Sequence, residues 1–323
     1  MEEMTMMKAL VRDRFGDPGV LRIEDVERPA LEEDRVLVRV KASSVNKAEW
    51  YGLIGRPLLA RPVMGFLRPR TRQIGADFAG VIEAVGENVE GFSVGDEVFG
   101  GRDGAYAEYV AAKTFAHKPA NVSFEEAGCI GIAGLTALQA VRDHGELQPG
   151  ERVLVNGASG GVGTMSVQIA KALGGQVTAV CSTRNVEQAR ALGADRVIDY
   201  TQEDFTRTGD RYDLVLDVAG SRSWGQLRRV FAPGARVVVI GAPSSTPLLG
   251  PLAHIIATKI ASLGKARFFV AKFVTADLET LAEMLESGAL KPAIDRTYEL
   301  AEAQDALRTF GEGHVRGKLV LTM

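Results

Sequence analysis

V-L-V-N-G-A-S-G-G-V-G-T-M-S-V-Q-I-A-K, running from Val153 to Lys171, joins an apolar strand-like run to an amphipathic helix through a turn crowded with glycine. It reads as Ala158-x-Gly160-x-x-Gly163, a dinucleotide fingerprint with alanine in the first slot and Gly157 adding freedom just before it. Gly160 lets the backbone approach a pyrophosphate, and Gly163 permits close packing of helix on strand. Unpaired N–H groups at the helix start complement phosphate charge. Ala158, Ser159, Gly160, Gly161, Val162 and Gly163 are therefore the expected cofactor-binding turn. The competing reading is an ordinary tight strand-to-helix turn.

Around this turn, strand-like runs at 152–156, 176–180, 196–200, 212–218 and 236–241 alternate with helical segments and are rich in Val, Ile and Leu. Strands buried on both faces read that way, so the pattern predicts a doubly wound parallel sheet of Rossmann type. The end of the second strand bears on the nucleotide. An NAD site commonly places Asp or Glu there to accept from the ribose 2'-hydroxyl. Here V-C-S-T-R-N sets Ser182, Thr183 and Arg184 in that region, two hydroxyls and a guanidinium in place of a carboxylate. That favours the 2'-phosphate of NADPH; the other explanation of Arg184 is a solvated residue at a helix start. Tyr200, ending the third strand, either flanks the adenosine end or is a plain strand-end aromatic, and Gly241, closing the fifth, is a further cofactor-side candidate.

The first hundred or so residues read as short β segments, including V-L-V-R-V-K-A from Val36, F-A-G-V-I-E-A-V-G from Phe78, and the turn-rich piece from Gly91 to Gly100. These fit a compact, barrel-like β domain. Ser123 and Glu126 form a capping-box signature ahead of a helix expected to reach about Val141. After helices ending near Gly288 and Phe310, the closing G-K-L-V-L-T-M is a strand suited to return to the N-terminal β domain. The expected division is a discontinuous β domain over 1–126 and 269–323, interrupted by a nucleotide domain over 127–268.

The 323 residues, 46% hydrophobic and 24% charged, suit a globular protein of two domains. With 38 basic against 41 acidic side chains the formal charge is -3, which offers no general attraction to nucleic acid or an anionic membrane. Two cysteines, Cys129 and Cys181, and an N-terminus without an apolar export segment point to the cytoplasm. The uncharged run from Val237 to Thr258 is broken by Pro243, Pro247 and Pro251, which argues against a membrane span.

The N-G-A-S-G-G-V-G turn, the preceding G-L-T-A-L-Q-A helix and the early V-G-D-E-V-F-G segment together resemble the zinc-independent quinone-oxidoreductase branch of the medium-chain dehydrogenase/reductase superfamily, over nearly the whole chain. The resemblance implies a GroES-like β-barrel catalytic domain interrupted by the Rossmann domain, with the active site in the cleft between them. Zinc-dependent members place a metal-binding cysteine early and a G-H-E motif later. This chain has Asn46 in place of the cysteine and Ala76 and Asp77 in place of His-Glu, and it lacks a four-cysteine lobe. His117, His144, His254 and His314 show no ligand spacing, so no metal is expected.

Losing the metal selects the reaction. A Lewis acid helps to form an alkoxide from a simple alcohol, whereas quinones and conjugated enones delocalise the charge left by hydride onto oxygen. The expectation is an NADPH-dependent reductase of a small quinone or unsaturated carbonyl compound. A zinc-free alcohol dehydrogenase or carbonyl reductase and an NADPH-binding sensor without turnover are the alternatives. By similarity, Asn46 and Tyr51 line the nicotinamide and substrate cleft, with Tyr51 a candidate donor to the oxyanion; the plainer readings are a turn-forming asparagine and a half-buried aromatic near a turn. Thr136 either contacts the nicotinamide-ribose side or is a plain buried helical threonine, and Lys318 either reaches the cofactor from the last strand or faces solvent. A homodimer is implied too, with R-V-V-V-I-G and K-A-R-F-F-V as candidate pairing edges. The segment between Tyr51 and Gly75, with Arg56, Arg61, Arg68, Arg70 and Arg72, reads as a mobile lid or a solvated basic loop.

Overall fold

A computed structural model describes residues 5–241 and 251–323. The N-terminal part comprises β1 (Met6–Val11), β2 (Arg22–Glu27), β3 (Val36–Ser44), α1 (Lys47–Ile54), α2 (Arg61–Met64), β4 (Asp77–Val85), β5 (Glu97–Gly101), β6 (Tyr109–Ala112) and β7 (Phe115–His117). Next come α3 (Phe124–Ala127), α4 (Gly131–Gln139), β8 (Arg152–Asn156), α5 (Gly161–Ala172), β9 (Gln176–Cys181), α6 (Val186–Ala191), β10 (Arg196–Asp199), β11 (Tyr212–Asp217), α7 (Trp224–Leu227), β12 (Phe231–Val239), α8 (Pro251–Ala261) and β13 (Ala266–Phe268). The chain ends with α9 (Thr275–Glu286), β14 (Ile294–Glu299), α10 (Ala303–Gly311) and β15 (Lys318–Thr322).

β8 to β13 form a six-stranded parallel sheet in the order β10-β9-β8-β11-β12-β13. Its strands are buried on both faces because alternate side chains enter different cores. Val153 and Val155 of β8 pack with α4, α5 and α9, whereas Leu154 packs with Phe205, Tyr212 and Trp224. This is the expected doubly wound, Rossmann-type layer arrangement. The order reverses between β8 and β11, and α/β sheets hold ligands beyond the carboxyl ends of strands at such a point.

The second sheet runs β14-β15-β3-β4-β5-β7, with β6 also on β3, and encloses Val36, Val38, Phe78, Ile82 and Val98. β15 pairs antiparallel with β3, so the last strand does return to the N-terminal β domain. The two layers share a core: Ala42, Ala79 and Phe99 of this sheet pack in the same cluster as Ala133, Leu138 and Met165. Gly317 N also donates to Ser159 O at 2.8 Å, fastening the start of β15 to the glycine turn.

Two expectations are corrected. The helix expected from Ser123 to about Val141 is broken: the Ser123–Glu126 capping box forms, but α3 stops at Ala127, α4 begins at Gly131, and a π turn covers Ala140–His144. The run R-V-V-V-I-G is no open edge, because β12 is bonded to β11 on one side and β13 on the other; β13 alone of the two proposed segments is at an edge. The arginine-rich segment, read as a mobile lid or a solvated basic loop, lines no part of the larger cavity. It folds as a short turn over Leu58–Ala60 followed by α2, its Leu59, Val63, Phe66 and Leu67 exposed, while Arg72 pairs with Asp13 and Glu24. Of the uncharged run, residues 242–250 lie outside the described ones; among the described residues no helix is long and apolar enough to cross a membrane.

Candidate functional site

β8 ends at Asn156, and the chain turns through Gly157, whose φ of 95° favours glycine. A Cβ at Gly163 would lie 2.0 Å from Gly157 O, so α5 sits against the strand as only glycine allows. At Gly160, by contrast, a Cβ would meet nothing within 4 Å. Gly160 borders a cavity of about 480 Å³, together with Ser159, Gly161 and Val162. Asn46, Lys47, Trp50 and Tyr51 form the wall opposite, and Phe310, Gly317 and Lys318 close it. A second cavity of about 270 Å³ lies at the strand ends, lined by Val180, Tyr200, Phe205 and Arg222. Gly157, Ser159 and Ala219 border both, so the turn stands between two chambers, the arrangement that a dinucleotide with its pyrophosphate at the turn requires.

The sequence-derived residues divide accordingly. Asn46, Tyr51, Ser159, Gly160, Gly161, Val162 and Lys318 meet on the larger cavity, and Tyr200 is on the smaller. Ala158 is buried in the core and Gly163 lies beneath the turn. Thr136 is one turn beyond the cavity-lining Ala133 and donates its hydroxyl to Ile132 O at 2.6 Å. Ser182 Oγ accepts from Asn185 Nδ2 at 3.1 Å, and Thr183 Oγ1 donates to Asp199 Oδ2 at 2.6 Å. Arg184 lines neither cavity; its Nη2 donates to His314 O at 2.7 Å. Gly241 lines neither as well: its N donates to Asp217 O at 3.1 Å, and a Cβ there would fall 1.8 Å from Val218 O. Lys47, Trp50, Phe310 and Arg222 were missed. Lys47 and Trp50 had a usable signal, since N-K-A-E from Asn46 to Glu49 has the spacing of a helix start; Arg222 and Phe310 had none.

Behind the larger cavity lies a buried polar cluster. Asp77, fully buried, accepts from Ser44 Oγ at 2.6 Å, Asn46 Nδ2 at 2.8 Å and Ile132 N at 2.6 Å. The Lys318 ammonium is 3.4 Å from Asp77 Oδ2 and also donates to Val45 O and to Asn46 Oδ1. A lysine side chain thus stands between Asn46 and Asp77. Ala76 has no donor atom, and Cys129 donates to Glu125 O at 3.2 Å while burial pushes its thiol up to about 12. Among the described residues no three His, Cys, Asp or Glu side chains converge. A zinc site needs three or four such ligands, so this donor set does not fit zinc.

Glu49 completes the cluster, accepting from Asn46 N at 3.0 Å and Asn46 Nδ2 at 3.3 Å. Burial, reinforced by the charge of Asp77, pushes its carboxyl from 4.5 up to about 7. The folded protein therefore keeps a proton that the unfolded chain releases between those values. Stability from this group is full below about 4.5 and is lost as pH rises to about 7, by about 3 kcal/mol in all. Glu49→Gln should flatten this dependence. Urea unfolding at pH 5 and pH 8 checks it, and equal pH slopes in the two proteins would refute the assignment.

Residues 32–121 match the family model described as the alcohol dehydrogenase GroES-like domain, and residues 192–321 match that described as zinc-binding dehydrogenase. A chloroplastic quinone-oxidoreductase of Triphysaria versicolor is 32% identical, covering 98% of each chain. The 2-methylene-furan-3-one reductase of Solanum lycopersicum is 32% identical over 98% of this chain and 79% of its own. Among solved structures, the quinone oxidoreductase from Coxiella burnetii superposes with a TM-score of 0.86 at 30% identity, covering 99% of this chain and 100% of that one.

Proposed function

Since the chain belongs to the medium-chain dehydrogenase/reductase superfamily, in its quinone-oxidoreductase branch, we propose that it reduces a quinone or an α,β-unsaturated carbonyl compound with NADPH and without a metal ion. The observation that carries this reading is the Lys318 ammonium held between Asn46 and Asp77 at the edge of the cleft. When bound, the reduced nicotinamide supplies hydride. The backbone of Ser159 to Val162 holds the pyrophosphate, and Asn46 and Tyr51 position the acceptor across the cavity. Negative charge developing on the acceptor oxygen is met by the fixed positive potential of Lys318 and by the Tyr51 hydroxyl. Water delivers the final proton.

The preference for NADPH over NADH rests on the smaller cavity. Arg222 lines it beside Tyr200, its Nε buried without a hydrogen-bond partner and only loosely paired with Asp204 at 3.8 Å. We assign the 2'-phosphate contact to Arg222 before Arg184, which is engaged with His314. Arg222→Glu is expected to weaken NADPH at least about tenfold while leaving NADH within a few-fold. Fluorescence titration of both nucleotides checks this, and equal losses would remove Arg222 from the site.

The reaction itself is tested with NADPH and an unsaturated ketone, which should yield the saturated ketone. An allylic alcohol would favour the carbonyl reductase, and tight nucleotide binding without consumption would favour a sensor. The buried free thiols Cys129 and Cys181 suit the reducing cytoplasm. The open edge of β13, with exposed Ile260 and Leu263 just before it, is the surface we assign to a homodimer.

A further inference from the structure

A chamber of about 230 Å³ lies on the other face of α1. Asn46 and Tyr51 face the cleft, whereas Ala48, Glu49 and Gly52 face this chamber. Arg12, just after β1, forms another wall with Thr71 and Gln73. Its side chain is buried, 6% exposed, yet Nε and Nη1 have no hydrogen-bond partner. The chamber contains two acids, but Glu49 is bound to Asn46 and Asp103 forms no ion pair with Arg12 among the described residues; the guanidinium stands 5.6 Å from the centre of the Phe15 ring, and burial lowers its pKa to about 10. Gly52 lies beside the guanidinium, where a Cβ would stand at ordinary contact distance, 3.8 Å, from Nη2. A buried guanidinium with unmet donors is costly unless something completes it.

We propose that this chamber binds a small organic carboxylate through Arg12. A carboxylate matches guanidinium geometry and carries a single charge, whereas a dianion such as phosphate would be repelled more strongly by Glu49 and Asp103. The carboxylate belongs either to a separate small acid or to the acceptor itself; only the second case rests on the reduction proposed above.

Calorimetric titration with benzoate tests the site without turnover. The wild-type protein should bind it, and Arg12→Met should bind at least about tenfold more weakly, as expected for the loss of charge-assisted hydrogen bonds. The variant should melt no lower than the parent, because it removes an unpaired buried charge; if it fails to fold, Arg12→Lys, which keeps the charge but loses the planar fork, should show the weakening instead. In the second arm, an unsaturated ketone bearing a carboxylate is compared with its methyl ester. A preference for the acid in kcat/KM that Arg12→Met abolishes identifies the acceptor as the source, and benzoate binding without such a preference identifies a separate acid. The proposal is overturned if benzoate does not bind and acid and ester react alike, or if binding survives both substitutions. Should no acceptor be reduced at all, the reductase reading falls while the benzoate titration still decides this one.

Discussion

Lys318→Met is expected to unfold about 3 to 5 kcal/mol more readily than the wild-type protein, the cost of leaving one member of a buried ion pair uncompensated. Lys318 is 3% exposed and Asp77 fully buried, so neither charge gains from water when the other is removed. The ammonium also joins Val45 O and Asn46 Oδ1, so its loss frees two further acceptors. Turnover should fall about 100-fold as well, the scale seen when a preorganised charge or donor is taken from a developing oxyanion. Pairing the change with Asp77→Asn separates the two effects. The double variant should recover most of the stability in urea unfolding but none of the activity in kcat/KM. If Lys318→Met loses stability and keeps full turnover, the lysine holds the fold together and takes no part in the chemistry.

Gly163→Ala should be destabilised by about 3 kcal/mol and bind no measurable NADPH. The added methyl carbon would lie 2.0 Å from Gly157 O and 2.9 Å from Ala158 Cα, both backbone atoms of the strand-to-helix turn, so α5 has to lift away. That motion displaces the N–H groups at its start. Gly160→Ala is the matched control: its methyl meets nothing within 4 Å. Its melting temperature should stay near that of the parent while nucleotide affinity falls, because the methyl projects where the pyrophosphate is expected. Thermal melts and fluorescence titration of the pair distinguish loss of packing from loss of contact. Unchanged melting and affinity in Gly163→Ala would mean that the close approach of helix to strand is not needed.

What could be read beforehand was local. β8, β9 and β11 announce themselves because parallel strands buried on both faces are continuous apolar runs, and the glycine turn because each glycine answers a steric demand. What could not be read was set by contacts distant in sequence. The helix after Ser123 breaks at Gly128 to Ile130 because Ile132 N is drawn to Asp77, 55 positions earlier, and Gly131 leaves room for that carboxylate: a Cβ there would lie 2.3 Å from Asp77 Oδ1. Periodicity alone shows an unbroken apolar segment. The interior position of β12 depends on β13 adding outside it, which no feature of R-V-V-V-I-G announces. The position of Arg184 at the end of β9 points to the nucleotide, but the loop before β15 supplies a carbonyl that takes its guanidinium, and Arg222 reaches the smaller cavity from beyond the end of β11. Asn46, Asp77 and Lys318 were each legible as single residues. Their convergence depends on β15, β3 and β4 lying as neighbours in one sheet, which no local pattern encodes.

The most direct test is the rate of NADPH oxidation with a quinone or enone acceptor after exhaustive treatment with a zinc chelator, with residual metal measured on the same sample. The account predicts an undiminished rate in metal-free protein, because a lysine side chain provides the positive charge. A rate that vanishes on chelation and returns with added zinc would contradict it.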